Sequence, residues 1–395
     1  MSASFSASCS GCKGESIWFS SGSRQVCSLR KQHAARDFVS SCNQALGRGR
    51  RGDIAASTAN GTDREEAVQT LADRKASSSL AGPSHSTSNE ALAKPIQQYS
   101  LPEGNPNLAT LMVKCPDRKG VIAALAQLLY GLGCNILASE QFTAAEGVYF
   151  QRIRFDLSDI VVGTANVSVL ERAVAEVADR FGMEWQLFYD NKVKRVALLV
   201  SRMDHCLYDL LIRHRAGELR CQIPIIISNH PDLEGVASSF GVPFRCLPLP
   251  KGAGPEGKAA QEAQIEAILQ EAEIDILVLA RYMQIFSADF CSRHAQHTIN
   301  IHHSFLPAFE GAKPYHRAYE RGVKVIGATA HYATGELDAG PIIEQDVARI
   351  SHRDSVQDMI RKGRDLERLV LARALRAVLS DCVMVYDNRT VVFDP

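Results

Sequence analysis

Val196-Ala197-Leu198-Leu199-Val200-Ser201 is a short, almost unbroken apolar run, and Ile223–Ser228 and Ile276–Ala280 repeat its character. Runs of this length without polar alternation mark strands buried on both faces, as in a parallel sheet covered by helices. Cys206–His214, Leu233–Phe240 and Ala259–Ala272 carry helical patterns between or beside them, and Phe244–Leu247 adds a short strand. Strands alternating with helices predict a doubly wound, mostly parallel α/β domain with ligands at the carboxyl ends of its strands. Val323–His331 and Ile342–Ala348 would be later strands, and Ser355–Leu379 a closing helix interrupted or bent near Gly363. The domain is expected to span 192–395.

The polar residues gather where such a sheet would present a ligand. Asn300-Ile301-His302-His303-Ser304 would lie at a strand end, and Glu336–Pro341 would close a second strand-to-strand connection. Side chains in a strand repeat every two residues, so Asn300 and His302 share one face and His303 points to the other, where a structural role is expected. An amide, an imidazole and a carboxylate, here Asn300, His302 and Asp338, are the parts needed to attack and stabilise a small acyl carbon. The plainer reading of the same residues is a buried polar strand end with a satisfied histidine. Ser304 has no base of its own and is not read as a nucleophile. No metal is expected, because the neighbouring histidines lack a carboxylate or cysteine at ligand spacing.

Two further stretches bear on the ligand. Arg281-Tyr282-Met283-Gln284-Ile285-Phe286 follows a buried strand, and Met283, Ile285 and Phe286 suit an apolar slot or simple packing at a helix entry. The turn Val200-Ser201-Arg202-Met203-Asp204-His205 lacks the glycine-rich loop that would offer backbone N–H groups to a phosphate.

Asn300–Pro307, Gly311, His331, Leu337–Pro341 and Ala280–Phe286 occur in an order that resembles the formyltransferase-type folate hydrolases and transferases, most closely the formyltetrahydrofolate deformylases. The resemblance runs from Cys115 to the C-terminus. It implies a formyltransferase-like, Rossmann-type domain and hydrolysis of 10-formyltetrahydrofolate to tetrahydrofolate and formate in one-carbon metabolism, the folate being substrate and no cofactor being needed. By matching position, Asn300 and His302 would stabilise the oxyanion and Asp338 would orient water and His302. Met283, Gln284, Ile285 and Phe286 would border the pterin ring. The transformylases often have Arg where Gln284 stands, so contact is implied for its main chain rather than its side chain. His331 would support the substrate site from a neighbouring strand, and Gly335 would let the backbone approach the ligand or make a turn. Water is favoured as acceptor because the glycine-rich loop of the glycinamide ribonucleotide transformylases is missing. The expected layout has no room for the extra domain of methionyl-tRNA formyltransferases. A formyltransferase acting on an amine, and a non-catalytic amino-acid sensor on the same fold, stay open as alternatives.

The preceding stretch reads as a separate domain over 105–190. Leu108–Cys115, a helix through Val121, Leu125 and Leu129, strands at Ile136–Phe142 and Val148–Phe155, a helix over Val167–Phe181 and a strand at Trp185–Phe188 give the order βαββαβ of the ferredoxin-like fold. Pro116–Val121 and Gly133–Ile136 resemble ACT regulatory domains. That likeness implies association into homo-oligomers and an amino-acid effector held by Asp117, Gly120 and Asn135. The alternative is that Asp117 caps the helix and Gly120 permits close packing.

Lys and Arg number 44, as do Asp and Glu, so nothing indicates a nucleic-acid surface. No apolar run approaches the ~18–20 residues of a membrane span. The 11 cysteines are scattered or in the N-terminal tail, as in a reducing compartment. Residues 1–51 hold eight Lys or Arg and only Glu15 and Asp37 as acids among many Ser and Ala, the composition of an organellar transit peptide. Residues 52–104 read as a linker unable to bury enough surface to offset its ordering entropy. Import into the mitochondrion is expected, with the chloroplast as the alternative.

Overall fold

Alternate side chains of the strand β5 (Arg195–Val200) enter opposite cores: Val196, Leu198 and Val200 join one apolar cluster, Ala197 and Leu199 another. That two-sided burial is the physical content of the apolar run that predicted this strand. The computed structural model describes residues 104–161, 167–250, 252–308 and 314–394. The expected transit peptide and nearly all of the expected linker lie outside the described residues.

The N-terminal domain runs β1 (Leu108–Pro116), α1 (Val121–Gly131), β2 (Asn135–Thr143), β3 (Val148–Asp156), α2 (Val167–Phe181) and β4 (Glu184–Tyr189). Its four strands pair antiparallel in the order β2-β3-β1-β4, as the ferredoxin-like reading expects. Leu111 and Val113 of β1 pack on Val121, Leu125 and Leu129 of α1 and on Leu170 and Val174 of α2.

The larger domain continues with α3 (His205–Arg215), β6 (Gln222–Ser228), α4 (Glu234–Ser239), β7 (Phe244–Cys246), α5 (Gly254–Glu271), β8 (Ile276–Leu279), α6 (Ala288–Arg293) and β9 (Thr298–His302). It closes with α7 (Pro314–Arg321), β10 (Val325–Tyr332), β11 (Ile342–Arg349), α8 (Val356–Leu379) and a hairpin of β12 (Val383–Tyr386) and β13 (Arg389–Val392). Seven strands form one sheet in the order β11-β10-β9-β8-β5-β6-β7. β7, β6, β5, β8 and β9 are parallel, whereas β10 and β11 run antiparallel to their neighbours. The strand order reverses at β5, between β6 and β8, so the crevice beyond the carboxyl ends of β5 and β8 is the switch point where doubly wound sheets take their ligands. No described helix is long and apolar enough to cross a membrane.

The two domains are joined by polar and apolar contacts. Arg152 on β3, 7% exposed, donates from Nε to Asp381 O at 2.8 Å and from Nη2 to Ser380 O at 3.1 Å. A cation at a helix C-terminus satisfies orphan carbonyls and meets the negative end of the dipole. Within the larger domain, Lys194 braces the same helix end, bonding to Val378 O at 2.7 Å and pairing with Asp381. Phe150, also on β3, is fully buried against Cys382 and Phe393 around the C-terminal hairpin, its ring edge-on to Tyr386 at 5.4 Å.

The expected bend near Gly363 is absent: α8 is one continuous helix, opened by a capping box between Ser355 and Asp358. A glycine inside a helix costs about 1 kcal/mol relative to alanine. Tertiary packing explains its presence, because a Cβ at position 363 would stand 1.9 Å from the Tyr315 hydroxyl oxygen. Gly363→Ala, which propensity alone would make stabilising, should therefore destabilise the protein by about 1–3 kcal/mol in urea unfolding. Unchanged or increased stability would show that Tyr315 does not need that space.

Candidate active site

Register places the first pair of polar groups. β10 lies antiparallel to β9 with His331 opposite Asn300 and Thr329 opposite His302, so the side chains of Asn300 and His331 stand beside one another. His331 Nδ1 lies 2.9 Å from Tyr332 O and must donate to it, because a carbonyl only accepts. In that tautomer Nε2 accepts, and Asn300 Nδ2 donates to it across 3.2 Å. The amide is thereby oriented, leaving its second N–H for the cavity. His331 itself is 2% exposed, so it braces Asn300 more than it meets a ligand.

The connection between β10 and β11 supplies the carboxylate. Asp338 sits in the left-handed region at φ 55, a conformation that costs a non-glycine residue about 1–3 kcal/mol and persists only where its surroundings enforce it. Asn388 Nδ2 holds the adjacent Ala339 carbonyl at 2.8 Å. A Cβ on Gly340 would collide with Tyr332 O at 1.8 Å, so only glycine lets this turn close. Asp338 Oδ2 stands 3.2 Å from His302 Nδ1, and Oδ1 is 3.7 Å from His331 Nε2. The hydrogen bond from His302, with the His331 imidazole beside it, holds the Asp338 carboxyl well below the usual carboxylate range, outweighing the upward push of burial.

His302, 5% exposed, is held from its other side by Ser304, whose Oγ lies 2.9 Å from Nε2. Ser304 Oγ donates to Ala308 O at 2.8 Å, so it accepts a proton-bearing Nε2 from His302. Ser304 is thus an orienting partner of the imidazole, a role that its lack of a base did not suggest.

These groups form the polar end of a cavity of about 470 Å³. Its other end is apolar: Met283 (59% exposed), Ile285 (61%) and Leu337 (63%) turn large side chains into open space. Exposed apolar groups around a concavity are the mark of a ligand surface. Ser201 fixes the 281–286 segment, its Oγ accepting from Met283 N at 3.0 Å and donating to Asn229 Oδ1 at 2.6 Å. Gln284 lines the cavity as expected. Phe286 reaches it only by an edge, since its ring is stacked in the core on Phe290 at 4.2 Å. Gly335 also lines the cavity, and a Cβ there would meet Ala288 Cβ at 3.0 Å, so its smallness serves packing against α6. Leu337 was missed in the sequence; an apolar residue inside an otherwise polar turn was the available signal.

Two expectations need correction. His303 does not turn away from the site: it lines the same cavity, its ring 5.0 Å from that of His302. β9 ends at His302, so two-residue alternation no longer governs the next side chain. In the N-terminal domain, Asp117, Gly120 and Asn135 do not meet within one copy of the chain. Asn135 begins β2 level with Asp156 and Leu108, whereas Asp117 follows the far end of β1. Eight strand residues separate these levels, roughly 26 Å. Nor does Asp117 cap α1: Gly120 is the N-cap, at φ 96, with no side-chain cap, and a Cβ there would meet only the Phe181 ring, at 4.0 Å. Gly120 supplies a positive φ rather than close packing.

Beyond His303 lies a buried ionic cluster that the sequence reading did not include. Arg281, left-handed at φ 65 and lining the cavity, approaches Glu367 Oε2 at 3.4 Å. Glu367, 2% exposed, also meets His205 Nε2 at 2.7 Å and the Tyr315 hydroxyl at 3.0 Å. The ligand atoms of His205, Cys206 and Glu367 lie within 4.8 Å of one another. As a metal site this set fits poorly, because the Arg281 guanidinium already answers the Glu367 charge and burial pushes the Cys206 thiol well up. Burial, then the Arg281 guanidinium, pushes the His303 imidazole down to about 4. A histidine kept neutral in the fold but free to protonate when unfolded makes stability fall as pH drops from about 6.5 toward 4. His303→Gln should flatten that part of a stability-versus-pH curve measured by urea unfolding; an unaltered slope would place the titrating group elsewhere.

Comparison with known proteins bears on this geometry. The formyl transferase family model matches residues 194–375 and the ACT domain model residues 109–179. A formyltetrahydrofolate deformylase of Synechocystis sp. is 53% identical, the match covering 72% of this chain and 98% of that protein. That of Bacillus subtilis is 44% identical, covering 74% of this chain and 96% of the relative. The crystal structure of a formyltetrahydrofolate deformylase from Pseudomonas syringae superposes with a TM-score of 0.69 at 43% identity, covering 73% of this chain and 95% of that one. With two domains matched in order and relatives covered almost end to end, this chain belongs to the formyltetrahydrofolate deformylase family.

Proposed function

We propose that the chain hydrolyses 10-formyltetrahydrofolate to tetrahydrofolate and formate at the Asn300, His302 and Asp338 end of the cavity. The observation that carries the reading is the meeting of those three groups with an open apolar slot at Met283, Ile285 and Leu337. The pterin ring lies in the slot, flanked by Met283, Ile285 and Phe286, with main-chain groups near Gln284 reading its edge. Water held by the Asp338 carboxylate attacks the formyl carbon. The free N–H of Asn300 and the Nε2–H of His302, exchanged from Ser304, donate to the developing oxyanion. The C–N10 bond then breaks, N10 takes a proton passed on by Asp338 and His302, and formate leaves. His331 and Gly335 support this end of the site rather than touch the formyl group.

The free formate and tetrahydrofolate supply one-carbon metabolism, including the formyl-transfer steps of purine biosynthesis. An amino-acid effector acts through the ACT domain in a homo-oligomer, because Asp117 and Gly120 of one copy and Asn135 of another would have to meet. The exposed edge strand β2, carrying Ile136, Leu137 and Phe142, supports that pairing. The acid-poor, Arg- and Ser-rich composition of residues 1–51 supports import into the mitochondrion. The full chain carrying a C-terminal fluorescent tag should coincide with a mitochondrial marker; coincidence with a plastid marker would make the chloroplast its site.

Formate release from 10-formyltetrahydrofolate, with no amine present, tests the reaction. Asn300→Ala and Asp338→Asn should each lower turnover about a hundred- to a thousand-fold, the loss expected from one group that stabilises the oxyanion, with little change in melting temperature. Near-normal turnover in either variant would remove that residue from the chemistry. Formyl transfer to an added amine without formate release would keep the site and replace hydrolysis by transfer.

A further inference from the structure

The cluster around Glu367 lies at the switch point, where a second substrate would be expected to enter. Arg281 follows the end of β8, and His205 opens α3 just beyond the end of β5. Their side chains meet on Glu367, which reaches in from α8 at 3.4 Å from Arg281 Nε and 2.7 Å from His205 Nε2. Arg281 faces the folate-sized cavity with Asn300 and His302. His205 faces a different concavity of about 380 Å³, whose lining includes Arg361, Arg364 and Arg368 of α8. Arg281, Glu367 and His205 therefore stand in series as a wall between the two cavities, with Glu367 as its middle layer. Arg281 Nε, within ion-pair distance of Glu367, and His205 Nδ1 are buried without a hydrogen-bond partner among the described residues.

The two cavities differ in character. Met283, Ile285 and Leu337 make the first apolar apart from its polar end. The second is basic. Arg368 pairs with Asp365 and Arg361 with Asp358 along the helix, whereas Arg364 has no carboxylate partner among the described residues. An amine bearing an anionic group suits such a place, its anion on Arg364 and its nitrogen directed at the formyl carbon. The wall stands in that path.

We propose that Arg281, held on Glu367, is the specificity-determining residue that keeps this site a hydrolase, by closing the crevice through which an anionic primary amine would reach the formyl carbon. The inference rests on the proposed hydrolysis. With the wall in place, water is the acceptor. With it open, the amine nitrogen bonds to the formyl carbon, the C–N10 bond breaks, the amine loses one proton and N10 gains one. The products are then a formamide and tetrahydrofolate, with no formate.

Arg281→Gly takes away the layer that faces the folate cavity, with a residue for which φ 65 is unstrained. Arg281→Gly/Glu367→Ala also removes the middle layer, together with the buried charge that the first change leaves behind. Each is supplied with 10-formyltetrahydrofolate and either 2-aminoethyl phosphate or ethanolamine, and tetrahydrofolate, formate and N-formyl product are measured. In the unaltered protein, formate should equal tetrahydrofolate with either amine. In a folded variant, tetrahydrofolate should exceed formate by the N-formyl product formed. That product should reach at least a tenth of turnover and be several-fold greater with 2-aminoethyl phosphate than with ethanolamine. Formate equal to tetrahydrofolate in folded variants overturns the proposal, as does equal use of the two amines. Failure of both variants to fold assigns Arg281 to stability alone and overturns it too. Absence of formate from the unaltered protein would instead sink the hydrolytic reading on which the inference stands.

Discussion

The antiparallel pairing of β10 against β9 sets His331 beside Asn300, and the polar end of the site hangs from that register. Were β10 shifted by one residue, its apolar face and its polar face, both buried, would exchange, and Asn300 would lose the acceptor that orients its amide. The same pairing brings the connection after β10 back over His302, so that Asp338 arrives within 3.2 Å of the imidazole. The strain of its left-handed backbone is offset by ties on the residues that follow, from Asn388 to Ala339 O and from the close approach that Gly340 allows. Each polar group is thus placed by a partner rather than by its own flexibility, which is what electrostatic stabilisation of a developing charge requires.

α8 links the two halves of the molecule. Near its middle it carries Glu367 to the edge of the cavity; at its C-terminal end the carbonyls of Val378 and Ser380, and of Asp381 just beyond, receive Lys194 and Arg152. Arg152 belongs to the sheet of the N-terminal domain, so that domain grips the helix whose other part closes the cavity. Gly363, one turn before Glu367, admits Tyr315, which in turn holds Glu367. A ligand favouring one position of the N-terminal domain would have a rigid element through which to act, as differential binding to two states requires.

The fold was largely legible in the sequence because its signals are local. Three apolar runs without alternation revealed strands buried on both faces, and each forms a strand at the expected position. The βαββαβ order of the first domain was equally plain from periodicity and turn residues. Asn300, His302 and Asp338 were legible as a set because their chemistry is unusual in a strand end and a short turn. His303 was misplaced, since a two-residue repeat says nothing once the strand has ended. Gly363 was taken as a break because propensity weighs a residue against its own helix, whereas a tyrosine more than forty residues away decides its use.

What the sequence determined alone was therefore which segments become strands and helices, and which side chains have chemistry to offer. Short-range periodicity and side-chain type carry that information within a single element. Only the tertiary structure decided that β10 runs against the other strands of the sheet, that Ser304 completes the hold on His302, and that Asn135 stands a sheet's length from Asp117. It also decided that Arg281 and Glu367 wall the cavity from its basic neighbour. Each of these depends on partners far apart in the chain, brought together by sheet order and register, where no local pattern records which residues will meet.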